Sequence, residues 1–114
     1  MSYIIKADGA SRGNPGEASF GAVLFDGDSE VASVSEYLGQ ATNNFAEYSG
    51  VIAGLRLARN HDPSAEYLVQ LDSKLVVEQL SGRWKVKSRD LMPLVSEANA
   101  LATGLRVRFE WIPR

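Results

Sequence analysis

The hydrophobic pattern of this chain changes period at Thr42, and that change limits the folds open to it. Before it, apolar and β-branched residues gather in short runs punctuated by glycine, as strands and tight turns require. Residues 3–8 (YIIKAD) predict a strand ending at Asp8. GASRGNPGE reads as a loop, with three Gly and a Pro in nine residues. Residues 18–25 and 30–38 predict two further strands, joined by a turn at Gly27, Asp28 and Ser29. Short connections between three strands predict an antiparallel meander.

From Thr42 onward, apolar and small residues recur at helical spacing over 45–60. Thr42 or Asn43 supplies the cap. Ala46, Gly50, Ala53 and Leu57 share a face, with Glu47, Val51, Gly54 and Ala58 beside it. Side chains this small let a helix approach a sheet closely. Arg56 and Arg59 fall in the last turns, where the helix dipole favours cations. Residues 66–71 (EYLVQL) predict a strand that delivers Asp72 at its end. Ser73 opens a short helix through Leu80, with Gly82 as its C-cap. Asp90 is expected to cap a third helix that has Pro93 in its first turn and ends at Gly104. Val107, Phe109 and Trp111 then alternate with Arg106, Arg108 and Glu110, a strand with one buried face. The order β-β-β-α-β-α-α-β predicts an α/β fold: a mixed five-stranded sheet, its first three strands antiparallel, with helices on both faces. It spans residues 1–114 as one domain.

With 114 residues the chain can build one core, and 45% hydrophobic and 23% charged residues are the proportions of a water-soluble globular domain. It contains no cysteine, which excludes a disulfide framework, a thiolate zinc site and a cysteine nucleophile. MSYIIKADG turns polar too soon for a signal peptide, and no apolar stretch approaches a membrane span, so the expectation is a cytoplasmic protein without a membrane partner. The formal net charge of −2 argues against a general nucleic-acid binder. The argument weakens for a nuclease that carries metal ions, because bound cations make an acidic site attractive to phosphate. Basic residues also cluster: Arg83, Lys85, Lys87 and Arg89 in one segment, and Arg106, Arg108 and Arg114 near the end.

Asp8, Glu47 and Asp72 carry the chemistry. Asp8 and Asp72 are expected at strand ends, and Glu47 in the first turns of the long helix. In sheets with helical crossovers, ligand sites gather at the carboxyl ends of strands. Carboxylates held together repel unless a cation neutralises them, and hard divalent ions are bound by few carboxylates with waters and phosphate oxygens. Singly, each acid is accounted for as a surface charge or a cap; together with their neighbours they are not. Ser11, Arg12 and Asn14 lie in the glycine-rich loop, and Thr42, Asn43 and Asn44 precede the helix. Asn and Ser exchange hydrogen bonds with a ribose 2′-hydroxyl, and a helix start favours an anion. The plainer reading of TNN as a cap and GNPG as a turn stands beside this one.

Four motifs, in order along essentially the whole chain, resemble the type 1 ribonuclease H family: DGASRGNPG, ATNNFAEYSGVIAGL, LDSKLVVEQLSG and VRFEWIPR. The resemblance implies a ribonuclease H-like fold and cleavage of the RNA strand of RNA–DNA hybrids by two Mg²⁺ ions, with Mn²⁺ as a substitute, leaving 5′-phosphate and 3′-hydroxyl ends. Asp8, Glu47 and Asp72 match its first three catalytic and metal-binding carboxylates. It implies that Asp8 bridges both ions and that Glu47 and Asp72 support the one at the leaving 3′-oxygen. Asn14, Asn43 and Asn44 match minor-groove contacts, Thr42 a contact to a DNA phosphate, and Ser73 a supporting position beside Asp72. Ser11, Arg12, Trp84 and Lys85 complete the expected substrate contacts, and the chain is expected to be a monomer.

Two departures qualify the match. The family's fourth carboxylate is an Asp on a helix after the final strand, and the sequence reaches Arg114 without it. The expectation is that the C-terminal helix is missing from this chain and that further sequence, with a possible further domain, supplies it. The alternative is a non-catalytic hybrid-binding module, or a nuclease of the same fold with another substrate. In place of the family's long basic insertion, only Arg83, Trp84, Lys85, Lys87 and Arg89 remain. His61, the single histidine, is expected to be a solvated loop residue, which leaves a zinc hydrolase without ligands.

Overall fold

The computed structural model describes residues 1–113; Arg114, one of the basic residues near the end, lies outside them. Eight elements follow in the expected order: β1 (Ser2–Ser11), β2 (Gly16–Asp26), β3 (Ser29–Ala41), α1 (Asn43–His61), β4 (Glu66–Leu71), α2 (Lys74–Leu80), α3 (Met92–Ala102) and β5 (Arg106–Trp111). They build one five-stranded sheet in the order β3-β2-β1-β4-β5. β1, β2 and β3 pair antiparallel, while β4 runs parallel to β1 and to β5.

Period-two alternation assigns the sheet faces. Tyr3, Ile5 and Ala7 of β1, Leu24 of β2, and Tyr67, Val69 and Leu71 of β4 are buried in a single core cluster. Val51 and Leu55 of α1, Val76 and Val77 of α2 and Ala98 of α3 join the same cluster. The expectation of helices on both faces is therefore corrected: among the described residues all three helices contribute to one core on one face. Ile4, Lys6, Val23, Phe25 and Leu68 occupy the alternate positions of their strands, outside that cluster. Lys6 Nζ lies 5.5 Å from the centre of the Phe25 ring there. Alternation alone did not separate the faces, because both carry apolar residues.

The meander is longer than the glycine content implies. β1 and β2 stay paired from Ile4↔Phe25 through Asp8↔Gly21 to Ser11↔Ala18. Asp8 thus sits in the body of β1 and not at its end. Gly9 belongs to the strand because α1 lies directly on it: a Cβ there would come within 2.2 Å of the Ala46 carbonyl. Gly50 answers from the helix side, where a Cβ would lie 2.9 Å from the Asp8 carbonyl oxygen. The small residues of α1 do what their size permits and set its backbone against that of β1.

Caps explain most of the helix ends. The Thr42 hydroxyl accepts from the Phe45 N–H at 3.1 Å, and Ser73 caps α2 by accepting from the Val76 N–H at 3.3 Å. Asp90 does not cap α3, whose N-cap is Leu91 without a side-chain bond. The chain enters that helix through a backbone turn instead, with Met92 N–H donating to the Ser88 carbonyl at 3.2 Å. His61 is the last residue of α1, not a loop residue, and sets its ring edge-on to Tyr3 with centroids 4.9 Å apart. No helix among the described residues is long and apolar enough to cross a membrane.

The contact of α1 with β1 can be tested directly. Gly50→Ala places a methyl group against backbone, which cannot swing aside, and should cost about 1–3 kcal/mol. Urea unfolding of both proteins measures this, and an unchanged midpoint would contradict the close approach.

Candidate metal and nucleic-acid site

The register of β1 with β4 decides where the acids meet. Pairing runs from Ser2↔Glu66 to Lys6↔Gln70. Two residues further along the chain from that last pair stand Asp8, still within β1, and Asp72, the first residue past the end of β4. Glu47, in the second turn of α1, reaches them where Gly9 lets the helix down onto β1. One carboxylate oxygen from each of Asp8, Glu47 and Asp72 lies within 4.8 Å of the others.

The three carboxylates differ in environment. Asp8 is exposed, Asp72 half-buried and Glu47 buried. The Gly9 N–H donates to Asp8 Oδ1 at 3.0 Å and to Glu47 Oε1 at 3.3 Å, so one backbone donor ties two of the acids. Glu47 Oε2 is buried without a hydrogen-bond partner. Burial raises the Glu47 pKa to about 8, with the negative charges of Asp72 and then Asp8 adding to the shift. A neutral Glu47 is how the protein tolerates three acids at one point without a cation. The donor set is all oxygen, and one buried carboxylate oxygen, Glu47 Oε2, is orphaned. These features fit a hard divalent cation such as Mg²⁺ or Mn²⁺.

Trp111, not anticipated as a site residue, supports this corner. Its indole N–H donates to the Asp72 carbonyl at 3.3 Å, and the next residue, Ile112, donates its N–H to the Leu71 carbonyl at 2.7 Å. Lys74 Nζ lies 5.2 Å from the centre of the Trp111 ring. The alternation of β5 marked Trp111 only as a core-facing residue, yet it is 42% exposed beside the site.

The polar residues around the β1–β2 turn and the start of α1 form a second group. The Ser11 N–H donates to Asn43 Oδ1 at 2.7 Å, and the Asn43 N–H donates to Asn14 Oδ1 at 3.1 Å. The Ser11 hydroxyl is within reach of the carbonyls of Gly13 and of Ala41, the latter at 2.8 Å. The Asn14–Pro15 peptide is cis. Both amide oxygens are thus used inside the protein, and the amide NH₂ groups of Asn14 and Asn43 point their donors elsewhere. Arg12 and Asn44 are exposed. Ser73 is committed to capping α2, a structural task that leaves Asp72 at the helix entrance. Trp84 and Lys85 are exposed on the segment after α2. The far end of that segment returns to α1: Arg89, Asp90 and Pro93 line a cavity of about 520 Å³ with Pro15, Thr42 and Phe45.

The direction of the Glu47 shift predicts a pH dependence without metal. The folded state keeps a proton that the unfolded state releases near pH 4.5, so the contribution to stability is fully present below that pH. It is lost as pH rises from there through about 8. In chelator, the melting temperature should fall across this window, and Glu47→Gln should flatten the fall. Equal slopes in thermal melts of the two proteins would show that Glu47 is not the group responsible.

The geometry has close counterparts. Residues 6–114 match the family described as Reverse transcriptase-like. The chain is 51% identical over 117 residues to the Bifunctional protein Rv2228c of Mycobacterium tuberculosis, covering all of this chain and 32% of that protein. The solved N-terminal RNase H domain of Rv2228c superposes with a TM-score of 0.95 over all of this chain and 88% of that one, at 50% identity. RNase H1 of Halobacterium salinarum gives 0.91 over all of this chain and 87% of that one, at 39% identity. LC11-RNase H1, solved in complex with an RNA/DNA hybrid, also gives 0.91, covering 98% of this chain and 86% of that one at 35% identity. The chain spans about a third of the length of the mycobacterial relative and 49% of the Halobacterium ribonuclease HI.

Proposed function

The chain belongs to the type 1 ribonuclease H family, and from that premise we propose that it hydrolyses the RNA strand of RNA–DNA hybrids at Asp8, Glu47 and Asp72. The observation that carries the reading is the meeting of these three carboxylates within 4.8 Å, with exposed Asn14, Asn43 and Asn44 at the turn and helix start nearby. Further support comes from LC11-RNase H1, a relative of the same fold that was solved with an RNA/DNA hybrid.

The three acids would hold a pair of Mg²⁺ ions, with Mn²⁺ as a substitute. When bound, these ions lower the pKa of an attacking water and neutralise charge on the leaving 3′-oxygen, which yields 5′-phosphate and 3′-hydroxyl ends. The protein supplies the rest. Asp8, on a strand held from both sides, fixes one carboxylate without a flexible loop. Glu47 gives up its proton as the cluster takes on cations, so ion affinity rises with pH through the region of its raised pKa. Trp111 holds the backbone of Asp72 in place. The NH₂ donors of Asn14 and Asn43, with exposed Asn44, face 2′-hydroxyls and select a ribose strand. Thr42 with Arg89 receives a phosphate of the other strand, and Arg12, Trp84 and Lys85 extend the contact with the backbone. With a net charge of −2, binding rests on these local groups and not on a general basic surface.

Two substitutions separate the chemical part from the recognition part. Asp8→Asn should abolish Mg²⁺-dependent cleavage of a labelled hybrid and leave the melting temperature equal or higher, since it relieves repulsion within the cluster. Cleavage at the parent rate would sink the assignment. Asn44→Ala should weaken hybrid binding by about 1 kcal/mol, the usual net contribution of one hydrogen bond, without changing affinity for duplex DNA. Equal losses on both duplexes in a binding titration would show that Asn44 does not read the ribose.

A further inference from the structure

We propose that Gln79 is a positioning residue for the basic segment after α2, and that with Tyr48 it sets the path of Lys85 and its neighbours for binding nucleic acid. The binding part rests on the function proposed above. Tyr48 of α1 is fully buried, and its hydroxyl donates to Gln79 Oε1 at 2.6 Å. Gln79 Nε2 donates in turn to the Lys85 carbonyl at 3.3 Å. A carbonyl can only accept, so the amide has one orientation that satisfies both ends. The chain of bonds runs from the residue next to Glu47, through α2, to the backbone of the basic segment.

A parallel tie lies one residue earlier. The Glu78 carboxylate accepts from Arg83 Nε at 2.6 Å and Nη2 at 3.0 Å. The Glu78 carbonyl accepts from the N–H groups of Arg83 and Trp84 at 2.9 and 3.2 Å. Two successive residues of α2 therefore fix residues 83, 84 and 85, a stretch that has no helix or strand of its own. Val86 packs against the core immediately afterwards. Lys85 and Trp84 remain exposed while their backbone is anchored. A segment ordered in advance avoids an entropy cost at binding, which matters when few cations are available. The Arg83–Glu78 pair lies at the surface and contributes little by itself. The tie through Gln79 ends in the core, and that makes it the anchor.

The test uses Gln79→Met, which keeps length and helix propensity but removes both polar atoms, and Tyr48→Phe, which removes only the hydroxyl. Trypsin cleavage after Arg83, Lys85 or Lys87 should quicken several-fold in both variants, while cleavage after Arg56 and Arg59 in α1 should not. Fluorescence anisotropy on an RNA–DNA hybrid in calcium, with the hybrid checked intact by gel, should show binding weakened by about five- to tenfold. The double variant should be no weaker than either single one, because both break the same chain of bonds. Unchanged trypsin cleavage overturns the anchor, and faster cleavage with unchanged hybrid affinity overturns its role in binding. A parent protein that does not bind hybrid overturns the nucleic-acid reading itself. A parent that binds, with variants that bind equally well, overturns this inference alone.

Discussion

The parallel pairing of β1 with β4 is the constraint on which the rest of the structure depends. Its register brings Asp8 of β1 close to Asp72, the residue that follows β4. No side-chain interaction would choose that arrangement, since the two acids repel. The choice is made by the backbone ladder and by the buried residues Tyr3, Ile5, Val69 and Leu71 behind it. Hydrophobic burial along the strands fixes a register, and the register sets two negative charges side by side where the ladder ends.

The second half of the site comes from the contact of α1 with β1. With no side chain at Gly9 or Gly50, the two backbones meet, and Glu47 is pressed into the space between the strands and the helix. The same depth that makes Glu47 a third ligand also raises its pKa and leaves Oε2 without a partner. Close packing and electrostatic strain are therefore one feature seen from two sides. A cation relieves the strain; without one, a proton does.

Around this point the polar residues divide between structure and exposure. The oxygens of Asn14 and Asn43 and the hydroxyls of Thr42 and Ser73 are spent on joining the β1–β2 turn to α1 and on capping helices. What remains to meet a partner is donors: amide NH₂ groups, Arg12, Lys85 and Arg89. A surface of donors suits hydroxyl and phosphate oxygens, and internal bonds fix the amides of Asn14 and Asn43 and the backbone of Lys85. The chain of bonds from Tyr48 through Gln79 extends the same economy to the segment after α2.

Much of this was legible in order but not in place. The eight elements, the Thr42 and Ser73 caps and the three acids follow from short-range rules: hydrophobic period, cap chemistry and the rarity of acids beside apolar runs. The failures are as informative. Glycine at position 9 reads as a loop because chain conformation is judged locally, yet the helix above it requires glycine within a strand. Asp90 reads as a cap, but a backbone turn from Ser88 serves that end of α3. Helices were expected on both faces because Ile4, Val23, Phe25 and Leu68 are as apolar as the residues behind them. By itself, the sequence determined which elements form and which residues can do chemistry, since both depend on neighbours within a few positions. The meeting of Asp8, Glu47 and Asp72 was expected from their motifs. Only the tertiary structure decided how deeply Glu47 is buried, which raises its pKa, and that Trp111 and Gln79 serve as supports. Each of these depends on strand register and backbone approach between segments tens of residues apart, and no local pattern encodes that.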